Sequence, residues 1–440
     1  MQTRFAFGKH GLTLTLPEAP RVVYEEVRGR SAPPLTDPIA AIGHALDHPI
    51  AGPPLTTLAQ GKRSAAISVC DITRPVPNSL TLPPLLARLH AAGIPPEGVT
   101  LLIATGLHRP ATPAELRTIL GPEISGPLAP YRILNHDARN PAEHRDLGPT
   151  TRGTPVSIDA RFLDADLHLT LGFIEQHLML GFSGGRKLVA PGLAGEETIK
   201  TIHSPRFMRE PLATEGCYGE NPLHAELLEI ARMARHDFLL DVTLTPAREI
   251  TGIFAGEPVA AHAAGVAHLR RTSLETLSGA ADAVITSAAG FPLDLNFYQV
   301  VKGVTAASHI VKPGGRILIL GECSEGAGSS EFTASLASLH TYPQFLEELR
   351  LAPVAIDQWQ LEKLALIGLT HDLFFYIPGV PRAALAGLAP HAYATPEAAV
   401  AAVLDGLPPS ARVALIPEGP YVFARVAPDR LPPLSSLKPT

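Results

Sequence analysis

The chain has 440 residues, enough for two domains that each bury a core of their own. A formal net charge of −6 leaves no basic footprint for nucleic acid, and no segment forms the long charge-free apolar run of a membrane span. Cys70, Cys217 and Cys323 are widely spaced with no C-x-x-C pair, which argues against a disulfide framework or a cysteine metal cage.

These features, and a start (MQTRFAFGKHGLTLTLP) without a positive stretch leading into an apolar one, predict a soluble cytoplasmic protein acting on a small molecule. The 44 prolines are spread along the chain, so many short connections are expected, with a loose end only after Pro428. In order, Phe5–Pro17 reads as a hairpin and Pro38–Ala45 as a helix start. Ser64–Cys70 is an apolar strand ending at Asp71, Thr73 and Arg74, and Leu80–Ala92 is a helix. Val99–Ala104 is a strand ending at His108, and Thr112–Leu120 is a helix opened by a Thr112…Glu115 capping box. Tyr131–Leu134 is a strand ending at His136, and Ala165–Phe173 alternates like a strand ending short of His177. Glu257–Arg271 is a long helix joining two domains. Ala281–Thr286 and Gly315–Leu320 are strands of the second, with Gly314-Gly315-Arg316 an ordinary turn before the latter.

Strands alternating with helices predict an α/β fold: two α/β domains with mostly parallel sheets, at 1–270 and 271–440, with the active site in the cleft between them and the last strand free to pack back on the first domain. In such sheets ligands lie beyond the carboxyl ends of the strands, which is where Asp71, Arg74, His108, His136 and His177 fall.

The densest chemistry lies in Gly172–His203. His177 precedes Lys187 by ten residues, His203 follows it by sixteen, and Gly181-Phe182-Ser183-Gly184-Gly185 leads into Arg186 and Lys187. A glycine loop with free N–H groups and adjacent cations is either an anion cradle or a solvated turn. Gln299 and Lys302 sit at i, i+3 on an expected helix and can face one ligand together. Trp359 reads as core on its own, and Phe291, Tyr298 and Trp359 are candidates for a pocket wall. His90, His224 and His262 read as structural or exposed, and His136 as either shaping the site or capping a turn.

Taken jointly, Asp71-x-Thr73-Arg74-Pro75-x-Pro77, Thr105-Gly106-x-His108-Arg109, Asn135-His136-Asp137, His177 with Gly181 to Lys187, His203, and Tyr298-Gln299-x-x-Lys302 resemble the nickel-dependent lactate racemase family. The resemblance spans roughly Ser64 to Trp359. It implies a nickel-pincer nucleotide (pyridinium-3-thioamide-5-thiocarboxylic acid mononucleotide) tethered to Lys187. Asp71, Gly184, Gly185 and Arg186 would lie around that cofactor, with Asp71 orienting Arg74 or His203. His203 would be the protein's nickel ligand and His108 and His177 the acid/base pair. Arg74, Tyr298, Gln299, Lys302 and Trp359 would bind a 2-hydroxy acid. Cofactor-biosynthesis proteins are implied as partners, with no nucleic acid and no membrane.

That chemistry suits the residue types. Inverting C2 through a carbanion beside a carboxylate is hard, whereas hydride transfer to the pincer with the hydroxyl proton taken by histidine gives a planar 2-oxo acid, and a second histidine serves the opposite face. Two other classes stay open: a zinc or nickel hydrolase ligated by His108, His177 and His203, and a non-catalytic sensor of an anionic metabolite.

Overall fold

The computed structural model describes residues 1–17, 22–126 and 129–427; the Pro-rich end after Pro428 lies outside the described residues. The chain is α/β with mostly parallel sheets and divides into two compact units. The division is not the single cut at residue 270 expected from sequence. Of the described residues, the first unit comprises Ser31–Ile202 and Cys217–Thr272; the second comprises Met1–Arg30, His203–Gly216 and residues 273–427. The reason lies in strand pairing: Val22–Glu26 joins the second unit's sheet by running parallel to Ala411–Ile416. The last strand, Phe423–Val426, pairs with Leu274–Leu277, inside the second unit.

The first unit is built on six strands in the order Ile250–Gly256, Phe238–Leu244, Leu167–Phe173, Ala65–Cys70, Val99–Ala104 and Arg132–Asn135. All pair in parallel except the first, which is antiparallel to Phe238–Leu244. Ile67, Val69, Leu101, Ile103, Leu169, Leu171, Leu240 and Val242 meet Leu82, Leu85 and Leu89 of the helix Asn78–Ala91 in one core. Leu167–Phe173 is buried at every position, not alternately as its sequence suggested. It lies at the centre of a parallel sheet, where both faces are covered. The Thr112…Glu115 capping box is complete and opens the helix Pro113–Leu120.

The second unit carries five parallel strands in the order Asp372–Tyr376, Val311–Leu320, Ala281–Ser287, Ala411–Ile416 and Val22–Glu26. Val284, Ile317, Ile319 and Phe375 pack with Val300, Val301 and Val304 of the helix Phe297–Ser308 and with Leu361 and Leu364 of the helix Gln358–Gly368. Gly314-Gly315-Arg316 falls within the strand Val311–Leu320, at a register shift opposite Ala281–Ala283, so the expected turn is a bulge. The N-terminal hairpin forms from Gln2–Phe5 and Leu12–Thr15. Among the described residues no helix is long and apolar enough to cross a membrane.

Candidate active site

Four of the first unit's parallel strands end in polar loops. Asp71 follows Ala65–Cys70 directly, and its Oδ1 accepts from the Thr73 amide at 3.2 Å and the Thr73 hydroxyl at 2.6 Å, a turn that fixes the carboxylate. Its Oδ2 accepts from His108 Nδ1 at 2.7 Å. Asp71 therefore orients His108, a partner the sequence reading did not name. Burial pushes the Asp71 carboxyl upward, yet the His108 hydrogen bond and charge, the Thr73 bond and the Arg74 charge together hold it below the usual value. An ionised carboxylate can only accept, so His108 carries its proton on Nδ1 and presents Nε2 as a basic lone pair. The side chain is 49% exposed, within reach of a ligand.

His177 stands in a two-residue pairing of Gln176–His177 with Gly181–Phe182. Its Nδ1 accepts from the amides of Met179 at 3.4 Å and Leu180 at 3.3 Å, so its neutral ring carries the proton on Nε2. The two histidines thus differ. His108 is set to take a proton at Nε2, whereas His177 donates from Nε2 and can take a proton there only by giving up two long contacts to its own turn.

The glycine loop is buried and so is not a solvated turn. The Gly185 amide donates to Asp241 Oδ2 at 2.9 Å, and Asp241 is a buried carboxylate inside the strand Phe238–Leu244. Gly184 has φ +83°, and a Cβ built there would collide with the same oxygen. The anion this loop wraps is a side chain of the protein. Burial raises the Asp241 carboxyl to about 7, against the pull of the Gly185 amide and the Arg186 charge. Arg186 is likewise buried, with its guanidinium donating to the carbonyls of Gly184, Leu180 and Phe182. Gly184, Gly185 and Arg186 brace the loop that carries Lys187.

Lys187 emerges from this frame half-buried, in the short 3-10 turn Gly185–Leu188. Loss of hydration, with the charge of Arg74 in second place, brings its amine down to about 8, opposed by the negative charges of Asp71 and Glu175. The carbonyl of Leu188, one residue on, accepts from Ser68 Oγ at 2.7 Å. Arg74 reaches Glu175 at 3.0 Å, a partner the sequence reading missed. His136 is fully buried between Asp159 Oδ2 at 2.9 Å and the Ala194 carbonyl at 3.0 Å, so it braces the chain that follows Lys187. His224 and His262 are buried, and His90 is bonded to Ile94 and Tyr131.

In the second unit, Trp359 is buried, donates from its indole to the Tyr298 hydroxyl at 3.1 Å, and lies against the His203 ring with centroids 4.5 Å apart. Gln299 and Lys302 lie on the helix Phe297–Ser308, and among the described residues the buried Gln299 Oε1 has no hydrogen-bond partner. That acceptor suits a ligand's hydroxyl. Phe291 is exposed under the Lys9 ammonium. Among the described residues no group of three or more His, Cys, Asp or Glu side chains is arranged to hold a metal.

Family models for the lactate racemase N-terminal domain and C-terminal domain match residues 7–216 and 277–424. The chain belongs to the lactate racemase family. It is 35% identical over 334 residues to the lactate racemase of Lactiplantibacillus plantarum, covering 75% of this chain and 78% of that one. It is 34% identical over 336 residues to that of Thermoanaerobacterium thermosaccharolyticum, covering 76% and 78%. The solved lactate racemase apoprotein from the latter organism superposes with a TM-score of 0.86 at 29% identity, over 97% of this chain and 100% of that one. A Thermotoga maritima protein shares the fold, with a TM-score of 0.66 at 17% identity over 90% and 99% of the two chains. This family membership makes the chain an isomerase.

Proposed function

We propose that this protein racemises or epimerises a 2-hydroxy acid, lactate or a close relative of it, with a nickel-pincer nucleotide carried on Lys187, in the cytoplasm. The observation that carries the reading is the Asp71–His108 pair, a carboxylate-backed imidazole on the same strand-end edge as Arg74 and Lys187. The residues suit the cofactor in kind: a thioamide tether needs an amine that is neutral part of the time, and the Lys187 amine is brought to about 8. His203, against Trp359, would be the protein's nickel ligand, and the proteins that build the nucleotide would be partners.

When bound, the cofactor supplies a hydride acceptor for C2 of the substrate. The protein's own part begins with the substrate carboxylate, which Arg74 would hold through charge and paired N–H groups, with Lys302 as a second cation. Tyr298 and Trp359 would border the substrate, with Gln299 beside it on the same helix as Lys302. His108 Nε2 takes the hydroxyl proton as C2 loses its hydrogen, and Asp71 stabilises the imidazolium that forms. The planar 2-oxo acid, held by the fixed cations, regains hydrogen on either face. His177 would be the acid/base group for the opposite face, as an imidazolium when it gives the oxygen a proton and as a free base when it takes one.

The test is peptide mass spectrometry across residues 184–200 of protein made alongside the pincer-biosynthesis enzymes with nickel. A nucleotide adduct on Lys187, and product free of solvent deuterium at C2 after turnover in heavy water, are expected. An unmodified Lys187, or full deuterium at C2, refutes the reading.

A further inference from the structure

We propose that Glu175 is an internal carboxylate that competes with the substrate carboxylate for Arg74, and so sets both the affinity of the site for anions and its preference for monocarboxylates over dicarboxylates. The inference rests on the reading of Arg74 as the substrate's carboxylate ligand.

Glu175 Oε1 lies 3.0 Å from Arg74 Nη1, where a bound carboxylate would also engage the guanidinium. A structural ion pair in this same unit looks different. Asp159 is fully buried, accepts bonds from the Arg161 guanidinium at 2.8 and 2.6 Å and from the Arg161 amide at 3.0 Å, and takes a fourth from His136. The difference lies in the acid: Arg74 and Arg161 each keep 19% of their side-chain surface in water, but Glu175 keeps 24% where Asp159 keeps none, so the Glu175 carboxylate can be exchanged for another anion at little loss.

The main chain of Glu175 cannot follow such an exchange. Its N–H donates to Ser183 Oγ at 3.0 Å and its carbonyl accepts from the Ser183 amide at 2.9 Å, which ties it to the loop carrying Lys187. Only the carboxylate can swing aside, and it stays close when it does. Its charge is felt at the Lys187 amine along with that of Asp71. A ligand with one negative charge meets this carboxylate once; a ligand with two meets it twice, which gives the discrimination its direction.

The experiment is isothermal titration of the full chain with glycolate and with oxalate, two anions of similar size carrying one and two charges. A partly exposed pair contributes up to about 1 kcal/mol, so Glu175→Gln is expected to tighten glycolate about fivefold. Oxalate should tighten by roughly the square of that factor, on the order of twentyfold. Glu175→Ala carries the same expectation and replaces the glutamine variant should its circular dichroism show loss of fold. Binding of both anions at wild-type strength or weaker overturns the proposal. So does an equal gain for both, which would report a change of shape and not of charge. Arg74→Ala is the control: it should abolish oxalate binding, whereas undiminished binding in that variant overturns the role of Arg74 itself and is distinguishable from failure at Glu175.

Discussion

The amine of Lys187 is the sharpest quantitative handle on this site. Loss of hydration and the Arg74 charge bring it down to about 8. At pH 7 such an amine is neutral about a tenth of the time, against about one part in 2,500 for an ordinary lysine near 10.4, a gain of roughly two hundredfold in nucleophile. Keeping it charged in its pocket at that pH costs about 3 kcal/mol by the same arithmetic. The sign of the linkage follows. Below pH 8 the amine is protonated in both folded and unfolded chains and the full penalty applies. Between about 8 and the ordinary lysine value the unfolded chain binds more protons, so stability rises with pH across that window. The assay is brief acetylation at a series of pH values, on chain made without the pincer-biosynthesis proteins, with acetyl-Lys187 quantified by peptide mass spectrometry against a free reference peptide. The labelling rate should bend near pH 8. In Arg74→Ala the bend should move up, because the second cause of the shift is gone. A bend at pH 10 or above would refute both the burial and the charge argument.

Two substitutions probe the frame around that amine. Asp71→Asn can turn its amide N–H₂ toward His108 Nδ1, which moves the ring proton to Nε2 and removes the base. In the cofactor-loaded enzyme kcat should fall on the order of 10³-fold with KM little changed and the Lys187 adduct intact by mass. Gly184→Ala places a methyl group against Asp241 at φ +83°, and urea unfolding should show a loss of at least about 2 kcal/mol; wild-type stability would mean that the Asp241 cradle is wrongly described.

The alternation of strands and helices was legible because each parallel strand is a short apolar run and each helix has a cap, so Val99–Ala104 and Pro113–Leu120 lie where the sequence places them. The strand-end rule led to Asp71, Arg74, His108 and His177. Pairings across long sequence separations were not legible. Glu175 meets Arg74 across 101 residues and Asp241 meets Gly185 across 56, and no local pattern encodes either. One signal was present. Asp241 interrupts an otherwise apolar strand, Phe-Leu-Leu-Asp-Val-Thr-Leu, and a buried acid in a central strand must be satisfied by something. The glycines beside Lys187 supplied the amide, which also explains why they read as a phosphate loop: an amide that binds one carboxylate has the geometry to bind an anion in general.

The anchoring of Lys187 follows from the same bonds. On its N-terminal side the Gly185 amide is fixed to Asp241 in one strand; on its C-terminal side the Leu188 carbonyl is fixed to Ser68 in another. Between them Arg186 turns inward and ties its guanidinium to three carbonyls of its own loop. The main chain around Lys187 is thereby held to two strands of one sheet, and the freedom that remains is in the lysine's four-carbon stem. A tethered reactive group needs such a base, since an ångström of drift at the tether becomes an ångström of misplacement at the reacting carbon. The buried ions that do the holding, Asp241 and Arg186, are displaced from their ordinary titration ranges by burial, toward about 7 and about 10. The fold therefore accepts desolvated charge beneath the loop, and the rigidity of Lys187 is what that arrangement maintains.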